Sequence, residues 1–247
     1  MIRFLIALQF LTIIPFNIKK KIEDKDFGRS LGYFPIVGLL LGIFLSGVAY
    51  ISMFLPTMVI SSLILVAWTV VTGGIHLDGF ADTCDGFYGN RRKEDILEIM
   101  RDSRIGTMGA AGIAILLLFK FAMLSSIRSE DLWKVLIMTV VFARWSQAFV
   151  CLTSTYARDE GKAKHFIEHV KRGDVFMGAI FILILNWFLI GIKGIILFTL
   201  LVITVLLFTK YVKRKIGGMT GDTIGATNEI AEASALLFSL ILLSYKI

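Results

Sequence analysis

Three aspartates, Asp78, Asp82 and Asp85, sit in the run GGIHLDGFADTCDGFYG (73–89), directly after a long apolar segment. Their i, i+4, i+7 spacing places the three carboxylates on one stripe if the run is helical. Carboxylates crowded in this way repel one another unless a cation sits among them. Hard oxygen ligands suit Mg²⁺ or Ca²⁺, and Mg²⁺ usually shares its shell with substrate phosphates. The stripe therefore points to a magnesium and diphosphate site. A solvated acidic helix start, favoured by the helix dipole, is the plainer alternative. The apolar or small neighbours Ile75, Leu77, Phe80, Ala81 and Phe87 speak against it. Cys84 reads as a small packing residue. His76 is either an interfacial hydrogen-bonding residue or a group that orients a phosphate or a ligand carboxylate.

A second constellation is GGMTGDTIGATNEIAE (217–232), where Asp222, Asn228 and Glu229 bear oxygen and four glycines let backbone approach a ligand or a helix. Alone it could be an ordinary helix cap; on the same membrane side as the aspartates it becomes a second half-site. Between the two lies EDILEIMRDSRIG, read as an amphipathic surface helix ending near Gly106. Arg101 and Arg104, beside the turn RIGTMG, read as donors to phosphate oxygens. For Arg91 and Arg92 that role and pairing with nearby carboxylates both stay open. His165 and His169 have a spacing that could serve a metal, but the surrounding Lys162, Lys164, Lys171 and Arg172 favour a basic surface loop. Lys120, Arg144, Gln147 and Asn186 fall inside apolar segments, and Arg144 is expected to point into a polar cavity beneath the site.

The elements that position these residues are apolar segments. Windows long enough to cross a bilayer run near 31–55, 57–76, 109–127, 132–154, 175–191, 194–211 and 230–245. A chain that is 56% hydrophobic and 18% charged, with mean hydropathy +0.78, belongs with polytopic membrane proteins. The expected fold is all-α: a bundle of about seven transmembrane helices, plus an N-terminal interfacial helix, forming one catalytic domain over 1–247. In the first span Gly38 and Gly42 have the spacing that lets helices pack closely. The connections alternate between long and short. The long ones are rich in Lys and Arg, whereas the short side and C-terminus hold only Arg128, Lys134, Lys193 and Lys246. The positive-inside rule then places the long connections, and the aspartates, in the cytoplasm. The net charge of +7 is accounted for by this topology and by attraction to anionic lipid, leaving no need for nucleic acid. Two distant cysteines make no disulfide framework.

With both motifs placed, the chain resembles the cobalamin-5′-phosphate synthase (adenosylcobinamide-GDP ribazoletransferase) family. The resemblance is carried by FLTIIPF, GYFPIVGLLLG, the aspartate run, RRKEDILEIMRDSRIGTMGAAG, ARW and GMTGDTIGATNEIAE. It implies an inner-membrane enzyme that joins adenosylcobinamide-GDP to α-ribazole or its 5′-phosphate in the last steps of cobalamin biosynthesis. The products are adenosylcobalamin or its 5′-phosphate and GMP, with Mg²⁺ required. The family's acidic motif falls on Asp78, Asp82 and Asp85, and its C-terminal motif on Gly221, Asp222, Thr223, Asn228 and Glu229. On physical grounds Asp78, Asp82, Asp85 and Asp222 are the expected metal ligands. Asp85, Asp222, Asp82 and His76 are the expected catalytic groups, with Asp85 and then Asp222 as base for a nucleophile on the 5′ side of ribazole. Arg101, Arg104, Arg144, Thr223, Asn228 and Glu229 are expected to bind substrate. The lipid bilayer is an expected partner, and a homo-oligomer and contacts with other corrinoid-assembly enzymes stay open. The competing readings are a CDP-alcohol-type phosphotransferase, which would want an Arg soon after the first Asp-Gly pair, a transporter, and a non-enzymatic membrane organiser.

Overall fold

Residues 135–143 are apolar apart from Thr139, and a helix apolar on every side belongs in the middle of a bundle. In the computed structural model, which describes residues 2–18 and 21–244, that helix is central and nearly every residue along it is buried. Among the described residues the regular elements are all helices. They are α1 (Ile2–Leu11), α2 (Asp24–Ser30), a 3₁₀ turn (Leu31–Tyr33), α3 (Phe34–Ile51), α4 (Thr57–Thr72), α5 (Ile75–Phe87) and α6 (Lys93–Ile99). After these come α7 (Thr107–Ser126), α8 (Ser129–Thr153), α9 (Lys162–His169), α10 (Arg172–Ile190), α11 (Ile192–Ile216) and α12 (Gly221–Ser244). Among the described residues six helical stretches are long and apolar enough to cross a membrane, and the bent pair α4 and α5 makes a seventh if counted as one span.

Helix α8 packs along α3, where Gly38 and Gly42 meet its backbone: a Cβ at Gly42 would lie 2.8 Å from the Cα of Ile137. The small-residue spacing read from the sequence is thus the α3–α8 contact. Apolar surface gains nothing by leaving lipid for another helix, so close backbone approach of this kind is what holds such helices together. Helix α1 is only ten residues long and buries Ile6, Ala7 and Leu11 against the bundle.

The expected span 57–76 ends earlier. Helix α4 stops at Thr72, and Gly73 and Gly74 both take positive φ, 62° and 65°, which an L-residue adopts only with strain. The chain turns there by 92°, so Ile75 and His76 open α5 instead of closing α4. The last helix differs in the other direction. It begins at Gly221, not near 230, because the small residues of GDTIGAT pack as a helix face: Thr223, Gly225, Ala226 and Thr227 are all buried. The surface helix ends at Ile99, short of Gly106. The basic stretch around His165 and His169 is a helix, α9, packed on α2.

The long connections meet at one end of the bundle. Ala157 N–H donates to Met219 O at 2.9 Å, Met219 N–H donates to Thr155 O at 2.8 Å, and Lys215 donates to Gly89 O at 3.3 Å. Lys19, Lys20 and Lys246, which count in the charge asymmetry, lie outside the described residues.

Candidate active site

Helix α5 carries Asp78, Asp82 and Asp85 along one stripe, and α12 brings Asp222 against it. The crossing is tight. A Cβ at Gly79 would lie 2.7 Å from the carbonyl oxygen and 2.9 Å from the Cα of Asp222, so only glycine lets the two backbones approach this closely. Gly225 faces the backbone of His76 in the same crossing. The consequence is that Asp82 lies within electrostatic range of Asp222, Asp78 and Asp85.

The four carboxylates are used differently. Both oxygens of Asp85 accept backbone N–H groups at the start of α7, from Gly106 at 2.7 Å and Gly109 at 2.8 Å. That carboxylate closes the helix N-terminus, where orphan donors and the dipole favour an anion. Asp222 accepts from Arg158 at 2.9 Å, through Oδ2 alone, and the Thr220 hydroxyl approaches the same oxygen at 3.3 Å. No described residue donates a hydrogen bond to Asp78 or Asp82. Arg158 is the residue that sequence reasoning left in a basic loop. Its side chain is only 12% exposed, it also donates to Met100 O, and through Asp222 it forms an ion pair with the acidic cluster. Only its neighbour Tyr156, whose backbone bridges to Met219, could have hinted at this, and such pairing has no local sequence signal.

Among the described residues no three His, Cys, Asp or Glu side chains converge closely enough to hold an ion by themselves. Magnesium ordinarily takes one or two carboxylates and completes its octahedron with water and substrate phosphate. Asp78 and Asp82, two carboxylates free of protein partners and backed by Asp222, fit that mode. Asp85, tied to α7, fits it less well.

Other expected substrate contacts are engaged deeper in the bundle. Arg144 is fully buried and donates to Glu232 at 2.7 Å and to Asn228; Lys120 pairs with both Glu229 and Glu232. Instead of a polar cavity, Arg144 therefore meets a network joining α7, α8 and α12. Asn228 Nδ2 donates to Glu232 at 3.0 Å, which leaves Asn228 Oδ1 to accept from Gln147 Nε2 at 3.1 Å. The Gln147 amide nitrogen can only donate, so His76 Nε2, 3.1 Å away, accepts from it and the ring proton resides on Nδ1. Thr223 is buried in the first turn of α12, its hydroxyl accepting the Thr220 N–H at 2.8 Å.

Arg101 is exposed, within electrostatic range of Tyr156, whose hydroxyl is pushed up mainly by burial. Arg104 is 87% exposed and grips Asp102 at 2.7 Å, and that hydrogen bond holds the Asp102 carboxyl down to about 2. Arg104 and Arg91 line a broad cleft of about 670 Å³ that reaches Asp85. Asp78 and Asp222 line a different hollow, of about 180 Å³, with His76 and Gln147. The site thus joins an acidic cluster, a half-buried arginine beside it and two hollows of unequal size, an arrangement suited to neutralising and positioning a diphosphate between two bound groups.

No solved structure matches the chain. Residues 3–240 match the family described as cobalamin-5-phosphate synthase. An adenosylcobinamide-GDP ribazoletransferase of Clostridium novyi (strain NT) is 39% identical over 245 residues, covering 98% of this chain and 96% of that protein. Ribazoletransferases of the same description from Geotalea daltonii, 36% identical over 235 residues, and Acetivibrio thermocellus, 37% over 237, each cover at least 95% of both chains. With the match running nearly end to end and taking in both half-sites, the chain belongs to the cobalamin-5-phosphate synthase family.

Proposed function

We propose that this chain joins adenosylcobinamide-GDP to α-ribazole or its 5′-phosphate and releases GMP. The observation that carries the site assignment is the pair of partner-free carboxylates, Asp78 and Asp82, set against Asp222 at the α5–α12 crossing. In the reaction a ribose hydroxyl attacks the phosphorus on the corrinoid side of the diphosphate. The bond from that phosphorus to the bridging oxygen breaks, GMP leaves with the oxygen, and the hydroxyl proton goes to a base. The expected nucleophile on the 5′ side fails this balance. A cobalamin 5-phosphate product keeps its 5′-phosphate, so that oxygen is already esterified and a ring hydroxyl of the ribose must attack.

Magnesium, when bound, neutralises diphosphate charge that builds up as GMP departs. Asp78 and Asp82 would hold it. Asp222 is the base: Arg158 holds its Oδ2, leaving Oδ1 to take the hydroxyl proton. Asp85 fixes α7 against α5 and so sets the wall of the wide cleft, where Arg91 and Arg104 would meet the guanosine-side phosphate. Arg144, Asn228 and Glu229 act at one remove, by holding α12 in register. The charge asymmetry of the connections supports a cytoplasmic position for this end of the bundle, in a cytoplasmic (inner) membrane.

The test is GMP release by the purified protein in nanodiscs with adenosylcobinamide-GDP, α-ribazole and Mg²⁺. Turnover that stops on chelation, returns with Mg²⁺ and is lost in a folded Asp222→Asn protein is the expected result. A folded wild type that makes no GMP with either acceptor would overturn the reading.

A further inference from the structure

The two substrates differ greatly in size, and so do the two hollows that border the aspartate stripe. The smaller hollow lies among α1, α3, α8, α9 and the α5–α12 crossing, with a volume of about 180 Å³. A dry cavity of roughly 150 Å³ holds a benzene molecule, so this one has room for a small ring system and none for a corrin macrocycle. The wide cleft beside Asp85 is several times larger.

Chemistry divides the two hollows in the same way. One wall of the small cavity is aromatic: Phe10 lies 4.9 Å from Phe166 and 6.0 Å from Phe34 between ring centroids. Leu31 and Ile224 extend this apolar wall. Phe34 and Phe166 are buried and fixed, while Phe10 is half-buried. Flat apolar rings are what such a wall takes, by stacking and edge contact. The other end is polar. His76 faces the cavity with its proton on Nδ1, a tautomer set by Gln147, whose amide nitrogen donates both to Asn228 Oδ1 and to His76 Nε2. That proton is a donor for an unprotonated ring nitrogen. Asp78 and Asp222 line this cavity, whereas Asp85 lines the cleft, so the reacting carboxylates stand between the hollows. Asp78 and Asp85 are seven residues apart on α5, about 10 Å along the helix, a distance a diphosphate and a ribose can bridge. The exposed Lys162 on α9 supplies one cation at the rim, suited to a 5′-phosphate on the acceptor.

We propose that the small cavity seats the acceptor nucleoside, its aromatic base against Phe10, Phe34 and Phe166 and its ribose toward Asp222, while the corrinoid and guanosine of the donor stay in the wide cleft. This rests on the function proposed above. The pocket is therefore the determinant of which lower-ligand base is accepted: a flat, apolar bicyclic ring fits, and a tricyclic ring does not.

The experiment is steady-state kinetics with each substrate varied in turn, on the intact protein in nanodiscs. Phe10→Ala, which removes a stacking face, and Ala163→Phe, which fills the cavity from α9, should each raise the KM for α-ribazole about tenfold, the scale of losing one base–aromatic contact. The KM for adenosylcobinamide-GDP should stay within about twofold. Movement of the donor KM instead, or of neither constant in folded protein, would overturn the assignment. If both variants fail to fold, acceptor choice decides. The wild type should discriminate strongly against a ribazole analogue with a tricyclic base, and Phe166→Ala should narrow that gap about tenfold. An unchanged ratio would overturn it too. Failure of the proposed function would look different, since the wild type would then release no GMP with any acceptor.

Discussion

Helix α12 carries two sets of polar residues that a sequence motif runs together, and they are handled in opposite ways. In its first turn Asp222 joins Asp78, Asp82 and Asp85, and among the described residues these four carboxylates have one ion-pair partner, Arg158. Two turns further in, Glu229 and Glu232 meet Lys120 and Arg144, two anions against two cations, with Asn228 and Gln147 joined to the same network. The deep set balances its charges within the bundle, as it must if the helices are to hold together, although Arg144 Nε and Nη2 keep no partner there. The outer set is incomplete, and its excess negative charge calls for a cation and, through it, a phosphate. The difference is between polar residues that fix helix positions and polar residues left free to react.

The largest expected effect separates the two sets. Asp82→Asn should lower kcat/KM roughly 10³-fold or more, by analogy with loss of charge stabilisation at other metal-assisted sites. It should leave thermal unfolding unchanged or later, because it removes one of several mutually repelling charges. Glu232→Gln should do the reverse in kind. It strips Arg144 and Lys120 of a shared partner, and breaking a buried pair costs about 3–5 kcal/mol, visible as earlier unfolding in detergent and low yield. Should Asp82→Asn unfold the protein while Glu232→Gln leaves it stable, the roles of the two regions would be exchanged.

A second expected effect concerns the geometry that joins the regions. At Gly79 a methyl group would press on backbone atoms of Asp222 that cannot rotate away. Gly79→Ala should therefore open the crossing and lower kcat by about 10²-fold, the cost of a displacement near 1 Å in a reacting group. Gly47→Ala on α3, where a Cβ meets nothing within 4 Å, is the control and should keep full activity. If Gly79→Ala turns over normally, the α5 and α12 carboxylates do not act as one site.

Much of this was legible in the sequence. Helical spans, the Gly38 and Gly42 contact and the facing of two acidic motifs follow from hydropathy, small-residue spacing and loop alternation, all of which are local patterns. What was not legible is non-local. The bend at Gly73 and Gly74 hides inside an apolar run that reads as one span. The start of α12 looks like a loop because its glycines and threonines, which cap helices in water, here serve as a thin packing face. Asp85 shares the stripe with Asp78 and Asp82, and only the arrival of α7 diverts it into a cap. Lys120 and Arg144 stand out in the sequence as charges inside apolar segments, yet their partners Glu229 and Glu232 lie on another helix, so pairing could not be told from ligand binding. Arg158 was one basic residue among several until Asp222 came within 2.9 Å.

The smallest expected effect tests how far the outer region extends. Arg104 and Asp102 form a solvent-exposed pair, and such pairs contribute little. Asp102 is held down to about 2 by Arg104, so whatever the pair contributes is present above the ordinary carboxylate range and is lost only as pH falls through about 2. It adds no inflection to a pH–rate profile at neutral pH. Arg104→Ala should raise the donor KM by no more than about threefold and leave kcat unchanged. Arg158→Ala, which frees a partly buried carboxylate beside the reacting atoms, should cost kcat about 10-fold or more. Measured together, the two variants rank the arginines by distance from the chemistry. An Arg104→Ala loss equal to that of Arg158→Ala would mean that the clasp on Asp102 opens when the donor binds and that the acidic cluster recruits a second guanidinium from the surface.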